Sequence, residues 1–193
     1  MYYNNSVIQI KEIFMKVIIP NGTTTIKFGE LYANKSITSI VIPEGVTEIE
    51  DSAFEDCENL KTIILPSTLK KIGIGAFRGC KSLRSITIPD SVTTIENCAF
   101  ESCNNLEQID MPEGLEHFSD GLFAGCHSLN NLTIPSSLCS IGENVFLECN
   151  SLKTLYMAES KMEMVDESFG ECGLTRFALP SPYLDLDMED EEY

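Results

Sequence analysis

Residues 42–65 read IPEGVTEIEDSAFEDCENLKTIIL, and the pattern returns every 23 residues along the 193-residue chain. Cysteine marks the period at Cys57, Cys80, Cys103, Cys126, Cys149 and Cys172. Phenylalanine stands three residues before each, at Phe54, Phe77, Phe100, Phe123, Phe146 and Phe169. Proline keeps the same interval at Pro20, Pro43, Pro66, Pro89, Pro112 and Pro135. Three chemically unrelated residue types in one register mean tandem repeats, each unit stacking on its neighbours.

The aliphatic residues fall into columns on the same period. One runs Ile37, Leu60, Leu83, Leu106, Leu129, Leu152, and the next Ile40, Ile63, Ile86, Ile109, Leu132, Leu155. The L-x-x-L-x-L segment ends in the alternation a short strand needs. Proline then stops the strand, because it has no N–H for a ladder. Pairs such as Glu44-Gly45 and Glu113-Gly114 make the turn. The V-x-x-I segment returns as an extended or tight-turn piece. A-F-x-x-C has helix-like spacing but room for only about one or two helical turns. These features predict an α/β, strand-dominated, right-handed leucine-rich-repeat solenoid of 23-residue repeats, with a parallel sheet on one face. About seven coils at roughly 4.8 Å make a rod roughly 30 to 35 Å long.

The repeat decays at both ends. Residues 1–13 are expected to form a degenerate N-terminal cap, and 14–180 the solenoid. Near its end Ala158 replaces proline, Lys161 replaces an apolar residue, and one residue is lost between Cys172 and Leu174. Leu174, Phe177, Leu179 and Pro180 still outline a final strand. Residues 181–193 are expected to be an acidic, flexible tail.

The stretch from Gly79 to Phe100, GCKSLRSITIPDSVTTIENCAF, resembles the BspA-type leucine-rich repeat. That family's units read approximately A-F-x-x-C-x-S-L-x-S-I-x-I-P-x-S-V-x-x-I-G. The Asn/Ser column here is Asn59, Ser82, Asn105, Ser128, Ser151. The likeness covers residues 14–180. It implies a non-catalytic repeat protein akin to surface adhesins of host-associated bacteria and mucosal protozoa, which bind matrix proteins or other cells. It also implies a secreted or cell-surface location.

Charge narrows the partners. The formal charge is −17, and six acids crowd the end of the chain: Asp185, Asp187, Glu189, Asp190, Glu191, Glu192. An acidic field repels phosphate backbones, so nucleic acid is not expected, and basic partners are favoured. The plain reading is a solvated acidic surface. No stretch approaches the roughly 18 apolar residues of a membrane span, so no membrane insertion is expected. The first twenty residues lack a basic start, and Gln9, Lys11, Glu12 and Lys16 break their apolar run. By that sign the chain is cytoplasmic, or a mature fragment whose signal was removed.

The chain has eight cysteines, which invite a disulfide or metal reading. Metal ligands must converge, whereas the column presents one thiol per coil, all pointing alike. Buried structural thiols are expected there. Cys98 and Cys139 lie off the column, either being a candidate surface thiol. His117 and His127 occupy variable columns and lack a matching acid or nucleophile, so no triad forms. Gly73, Gly75 and Gly79 in IGIGAFRG have the wrong spacing for a phosphate loop. No catalytic, cofactor-binding or metal-binding residue is assigned, and no cofactor is expected.

Functional candidates lie on the outward positions of the sheet, in three ladders. They are Thr38, Lys61, Arg84, Glu107, Asn130, Lys153; then Ser39, Thr62, Ser85, Gln108, Asn131, Thr154; then Val41, Ile64, Thr87, Asp110, Thr133, Tyr156. Within them the candidate binding face is Lys61, Thr62, Ile64, Arg84, Ser85, Thr87, Glu107, Gln108, Asp110, Asn130, Asn131, Thr133, Lys153 and Tyr156. Hydroxyls, amides, mixed charges and a few apolar spots suit an extended protein interface, although Thr and Ser are also ordinary exposed strand residues. Two functions fit: an adhesion module for a host matrix or cell-surface protein, or an intracellular scaffold.

Overall fold

A computed structural model describes residues 9–11, 16–158, 172 and 176–178. The acidic tail, Phe169 and most of the decayed last coil lie outside the described residues. In chain order the strands begin with β1 (Gln9–Lys11), β2 (Lys16–Ile18), β3 (Thr25–Ile26), β4 (Ser39–Val41) and β5 (Glu48–Ile49). Next come β6 (Thr62–Ile64), β7 (Lys71–Ile72), β8 (Ser85–Thr87), β9 (Thr94–Ile95) and β10 (Gln108–Asp110). The chain closes with β11 (His117–Phe118), β12 (Asn131–Thr133), β13 (Ser140–Ile141), β14 (Thr154–Tyr156) and β15 (Arg176–Ala178). No helix occurs among the described residues. The result is a strand-dominated solenoid of about six turns, each carrying two strands.

The three-residue strands form where L-x-x-L-x-L places them. Their side chains alternate exposed, buried, exposed at β4, β6, β8, β10 and β12. They pair in parallel, with Ile40 opposite Ile63, Ile86 opposite Ile109 and Leu132 opposite Leu155. Leu155 then lies opposite Phe177, a register one residue short, because the sequence drops a residue between them. At the other end β1 runs antiparallel to β2, pairing Gln9 with Ile18.

The V-x-x-I segments form a second parallel sheet, where the sequence suggests only an extended or turning return. Its ladders are β3-β5-β7-β9 and β11-β13, pairing Ile26 with Ile49, Ile72 with Ile95, and Phe118 with Ile141.

The A-F-x-x-C segments make a third wall, and it is not helical. A helix would keep every N–H within its own coil. Here alternate amides leave it: Ser52, Phe54 and Asp56 donate to the carbonyls of Ile74, Ala76 and Arg78 in the next coil. The amides between them, Ala53, Glu55 and Cys57, close turns onto Glu50, Ser52 and Phe54. That alternation needs two left-handed residues per coil. Ser52, Gly75, Cys98, Gly121 and Asn144 fill one column at φ between 52° and 62°, and Asp56, Gly79, Ser102, Gly125 and Glu148 the other at 57° to 73°. Gly75 and Gly79 are thus conformational, as glycine alone takes positive φ without a Cβ clash.

Neither strand sheet is continuous, and their breaks are staggered. The first sheet pairs β4 with β6, β8 with β10, and β12 with β14 and β15, leaving the β2–β4, β6–β8 and β10–β12 junctions unladdered. The second breaks instead between β9 and β11. The turn wall runs on past the β6–β8, β9–β11 and β10–β12 breaks: Phe77 donates to Ala99 O, Phe100 to Leu122 O and Phe123 to Val145 O.

The core is a stack of columns. Phe54, Phe77 and Phe100 lie nearly parallel with centroids 5.3 and 5.4 Å apart. Phe123 and Phe146 extend the stack at 6.0 and 5.8 Å. Burying each ring contributes about 1.5–3 kcal/mol. Below the rings, each cysteine donates its thiol to a phenylalanine carbonyl one coil back: Cys80 to Phe54, Cys103 to Phe77, Cys126 to Phe100, Cys149 to Phe123, at 3.1 to 3.3 Å. Cysteine suits this place because it is small, apolar and a weak donor. Asn59 and Asn105 reach back similarly, donating Nδ2 to the Lys35 and Lys81 carbonyls at 2.7 Å.

Candidate protein-binding face

Strand alternation sends every second side chain of the first sheet outward. The candidates Lys61, Thr62, Ile64, Arg84, Ser85, Thr87, Glu107, Gln108, Asp110, Asn130, Asn131, Thr133 and Lys153 are all exposed, and Tyr156 is half-buried. Their 23-residue spacing becomes vertical adjacency, because parallel pairing in register sets equivalent residues one above another.

The face divides into two chemistries. Towards its C-terminal side the polar groups engage one another. Arg84 meets Glu107 at 3.3 Å, Thr87 donates to Asp110 at 2.9 Å, and Gln108 donates to the same carboxylate at 3.1 Å. Asn131 donates to the Asn130 side-chain oxygen. Exposed pairs of this kind contribute little stability, about 0–1 kcal/mol each. Towards the N-terminal side the third ladder is apolar: Ile18, Val41 and Ile64 stack with 52%, 46% and 61% of their surface exposed. Three aligned, solvated aliphatic residues form a contiguous strip, which is more informative than scattered ones. The sequence showed Val41 and Ile64 in this column; extending the period back to Ile18 would have completed the strip.

Shallow grooves lie at two of the breaks in the sheets. One of about 810 Å³ opens between β6 and β8, lined by Ile63, Ile64, Leu65, Ser85 and Thr87 among others. The second, about 440 Å³, lies at the β9–β11 break beside Thr94, Glu116 and His117. There the His117 ring nitrogen Nδ1 sits 2.6 Å from Ser140 Oγ. His127 sits between Asn104, 2.8 Å away, and Glu148, 3.8 Å away. The two histidines are in separate places: among the described contacts His117 meets a hydroxyl without a carboxylate, and His127 a carboxylate without a hydroxyl or thiol.

Charge is organised along the coils too. Glu58 accepts Lys35 and Lys81 at 2.8 and 2.9 Å, from the coil before and the coil after. Hydrogen bonds and charge from both lysines, Lys35 first, pull its carboxyl down to about 2. Arg78 similarly faces Glu55 and Glu101. Among the described residues no cluster of His, Cys, Asp and Glu could hold a metal ion, and no helix is long and apolar enough to cross a membrane.

None of the eight cysteines is joined in a disulfide. Five column members are buried, Cys172 and Cys98 are half-buried, and Cys139 is exposed. Burial pushes the Cys103 and Cys149 thiols up to about 12 and Cys57 to about 11, so these sulfurs stay protonated and unreactive.

Comparison with known proteins agrees with this architecture. The family model for the BspA type leucine rich repeat region matches residues 9–92 and 70–188, in six copies. A leucine rich repeat protein of T. pallidum is 33% identical, with a TM-score of 0.60, covering 62% of this chain and 58% of that one. A leucine-rich repeat protein from Bacteroides ovatus is 28% identical, with a TM-score of 0.64, covering 82% of this chain and 47% of that one. The pneumococcal vaccine antigen PcpA is 31% identical, with a TM-score of 0.56, covering 63% of this chain and 31% of that one. The chain thus spans less than two thirds of each of these structures. No curated protein matches it.

Proposed function

The chain belongs to the BspA type leucine rich repeat family, and from that premise we propose that it is a non-catalytic protein-interaction module whose ligand is a host matrix or cell-surface protein. The observation that carries the reading is the exposed aliphatic ladder Ile18–Val41–Ile64 beside solvated hydroxyls and charges on one face of the solenoid. A sheet held by stacked coils is preorganised, so binding loses little conformational entropy at the protein's own surface. Many modest contacts along the rod supply affinity and no single residue carries it. The pneumococcal relative's description as a vaccine antigen supports an exposed location for proteins of this kind.

The test is capture. Immobilised chain is probed with fibronectin, laminin, collagen and labelled host cells, in parallel with an Ile64→Thr/Arg84→Glu variant. Saturable binding that weakens at least tenfold in the variant is expected. Binding that ignores the variant removes this face from the reading.

A second reading, an intracellular scaffold, is favoured by one observation: none of the eight cysteines is joined in a disulfide, which suits a reducing compartment. Surface labelling of intact cells separates the two. Recovery only in the cytosol selects the scaffold.

A further inference from the structure

The N-terminal half of the face has the wrong charge for this chain. The protein carries −17 overall, yet the outward positions of β4, β6 and β8 include no carboxylate. The charged residues leading into them are the cations Lys61, just before β6, and Arg84, just before β8; Arg84 already meets Glu107, just before β10, at 3.3 Å, which leaves Lys61 as the cation beside the groove. The same half carries the aliphatic strip and the groove at the unladdered β6–β8 junction. Ile63 shows the opening: it is 8% exposed, against 1% for Ile40 one coil earlier. Glu44, the one carboxylate lining the groove, is already held by the Ser67 amide and hydroxyl at 3.0 and 3.1 Å.

A fitting occupant is extended, so that it can lie along strand edges. It is apolar on one side and acidic on the other. Residues 183–193 read YLDLDMEDEEY, in which Leu184, Leu186 and Met188 alternate with Asp185, Asp187 and Glu189. A period of two puts the apolar and acidic sets on opposite sides of an extended chain. The reach fits too. The groove lies just over four strand spacings from β15, about 20 Å, and six residues from Ala178 to Leu184 extend to about 20 Å.

We infer that this C-terminal segment docks in extended form across β4–β8 of its own chain. Leu184, Leu186 and Met188 cover Val41 and Ile64, and the alternating carboxylates face Lys61. This inference rests on the reading of that face as the interaction surface. It makes the segment an internal competitor, displaced when a partner arrives.

Zero-length carbodiimide cross-linking of the full chain tests it, read by mass spectrometry of proteolytic fragments. The expected product is an amide between Lys61 and Asp185, Asp187 or Glu189, with a yield independent of protein concentration. Ile64→Thr and Leu186→Ser, made separately in the full chain, should each lower that yield at least fivefold. Absence of the Lys61 link while Lys70 reacts overturns the proposal, as does a yield indifferent to both variants. A link found only between isotopically distinct copies overturns docking within one chain. None of these failures touches the protein-interaction reading, which falls only if capture ignores the face variant.

Discussion

The Ser119 hydroxyl donates to the Ile95 carbonyl at 2.6 Å, in the place where neighbouring coils use a backbone amide. Glu50, Gly73, Glu96 and Gly142 all donate N–H to the equivalent carbonyl, at 2.7 to 2.9 Å. The cause is one residue away. Phe118 occupies a column otherwise filled by Ile26, Ile49, Ile72, Ile95 and Ile141, and it is fully buried. Its ring stands edge-on to Phe123 at 5.8 Å. The larger side chain wedges the coils apart, and the Phe100–Phe123 spacing widens to 6.0 Å.

Phe118→Ile should therefore close the β9–β11 break. The expected sign is slower hydrogen exchange at the Ser119 amide, which gains a backbone acceptor. Ser119→Ala in the parent should cost about 1–2 kcal/mol, by stranding a half-buried carbonyl. Unchanged exchange in Phe118→Ile would show that the ring is not the wedge.

Close approach between coils makes a second prediction. A Cβ on Gly73 would lie 2.5 Å from Asp51 Oδ1 and 2.7 Å from the Asp51 amide nitrogen. That carboxylate is fixed because it accepts the Ile74 N–H at 2.9 Å. Gly73→Ala should cost about 1–3 kcal/mol, measured as a fall in urea midpoint. Asp51→Ala combined with it should recover less than half, since the backbone clash persists.

At Ala33 the left-handed wall holds a residue with a Cβ, at φ 53°. Ala33→Gly should stabilise by roughly 0.5–1 kcal/mol, after relief of the strain is offset by the freer unfolded chain. Thermal unfolding reads it, and a lower Tm would contradict the strain argument.

Acid dependence follows from Glu58. Its carboxyl is lowered from 4.5 to about 2 by Lys35 and Lys81. A lowered carboxylate contributes stability that is present above 4.5 and lost as pH falls towards 2. Urea midpoints at pH 6 and pH 2.5 should differ less in Glu58→Gln than in the parent, and 1 M salt should shrink the difference further.

Alkali acts on the thiol column with the opposite sign. Cys103 and Cys149 are raised from 9.0 to about 12 by burial. The unfolded thiols ionise first, so stability is complete below 9 and falls as pH rises towards 12. Each thiol should contribute a loss of about 2 kcal/mol by pH 10.5, and Cys103→Ala should remove its share. At neutral pH a chromogenic disulfide should modify Cys139 rapidly, and Cys57, Cys80, Cys103, Cys126 and Cys149 only after unfolding. Fast native reaction at the column would contradict the packing.

The repeat, its strands and the buried columns were legible because each depends on residue type at a fixed spacing. Cys57 and Phe54 mark the core by residue type and spacing alone, and both are fully buried. The turn wall was not legible. A-F-x-x-C spacing suits a helix equally well, and only the alternation of amides, set by the next coil, decides against it. Ser52, Cys98 and Asn144 also concealed the left-handed column that Gly75 and Gly121 hinted at. The second sheet escaped because two-residue strands such as β5 and β7 leave too little pattern to read. On the face, exposure followed from alternation, but the groove at Ile63 depends on which coils ladder together, and no single-repeat pattern encodes that.

The staggered breaks in the two sheets have a mechanical meaning. From β3 to β14, every junction between successive coils keeps a ladder on at least one sheet, as courses of brick are laid so that joints do not align. A rod pulled from its ends has no shared seam along which to part. The unbroken turn wall acts as its spine, so the permitted deformation is flexing about that spine, opening one groove at a time.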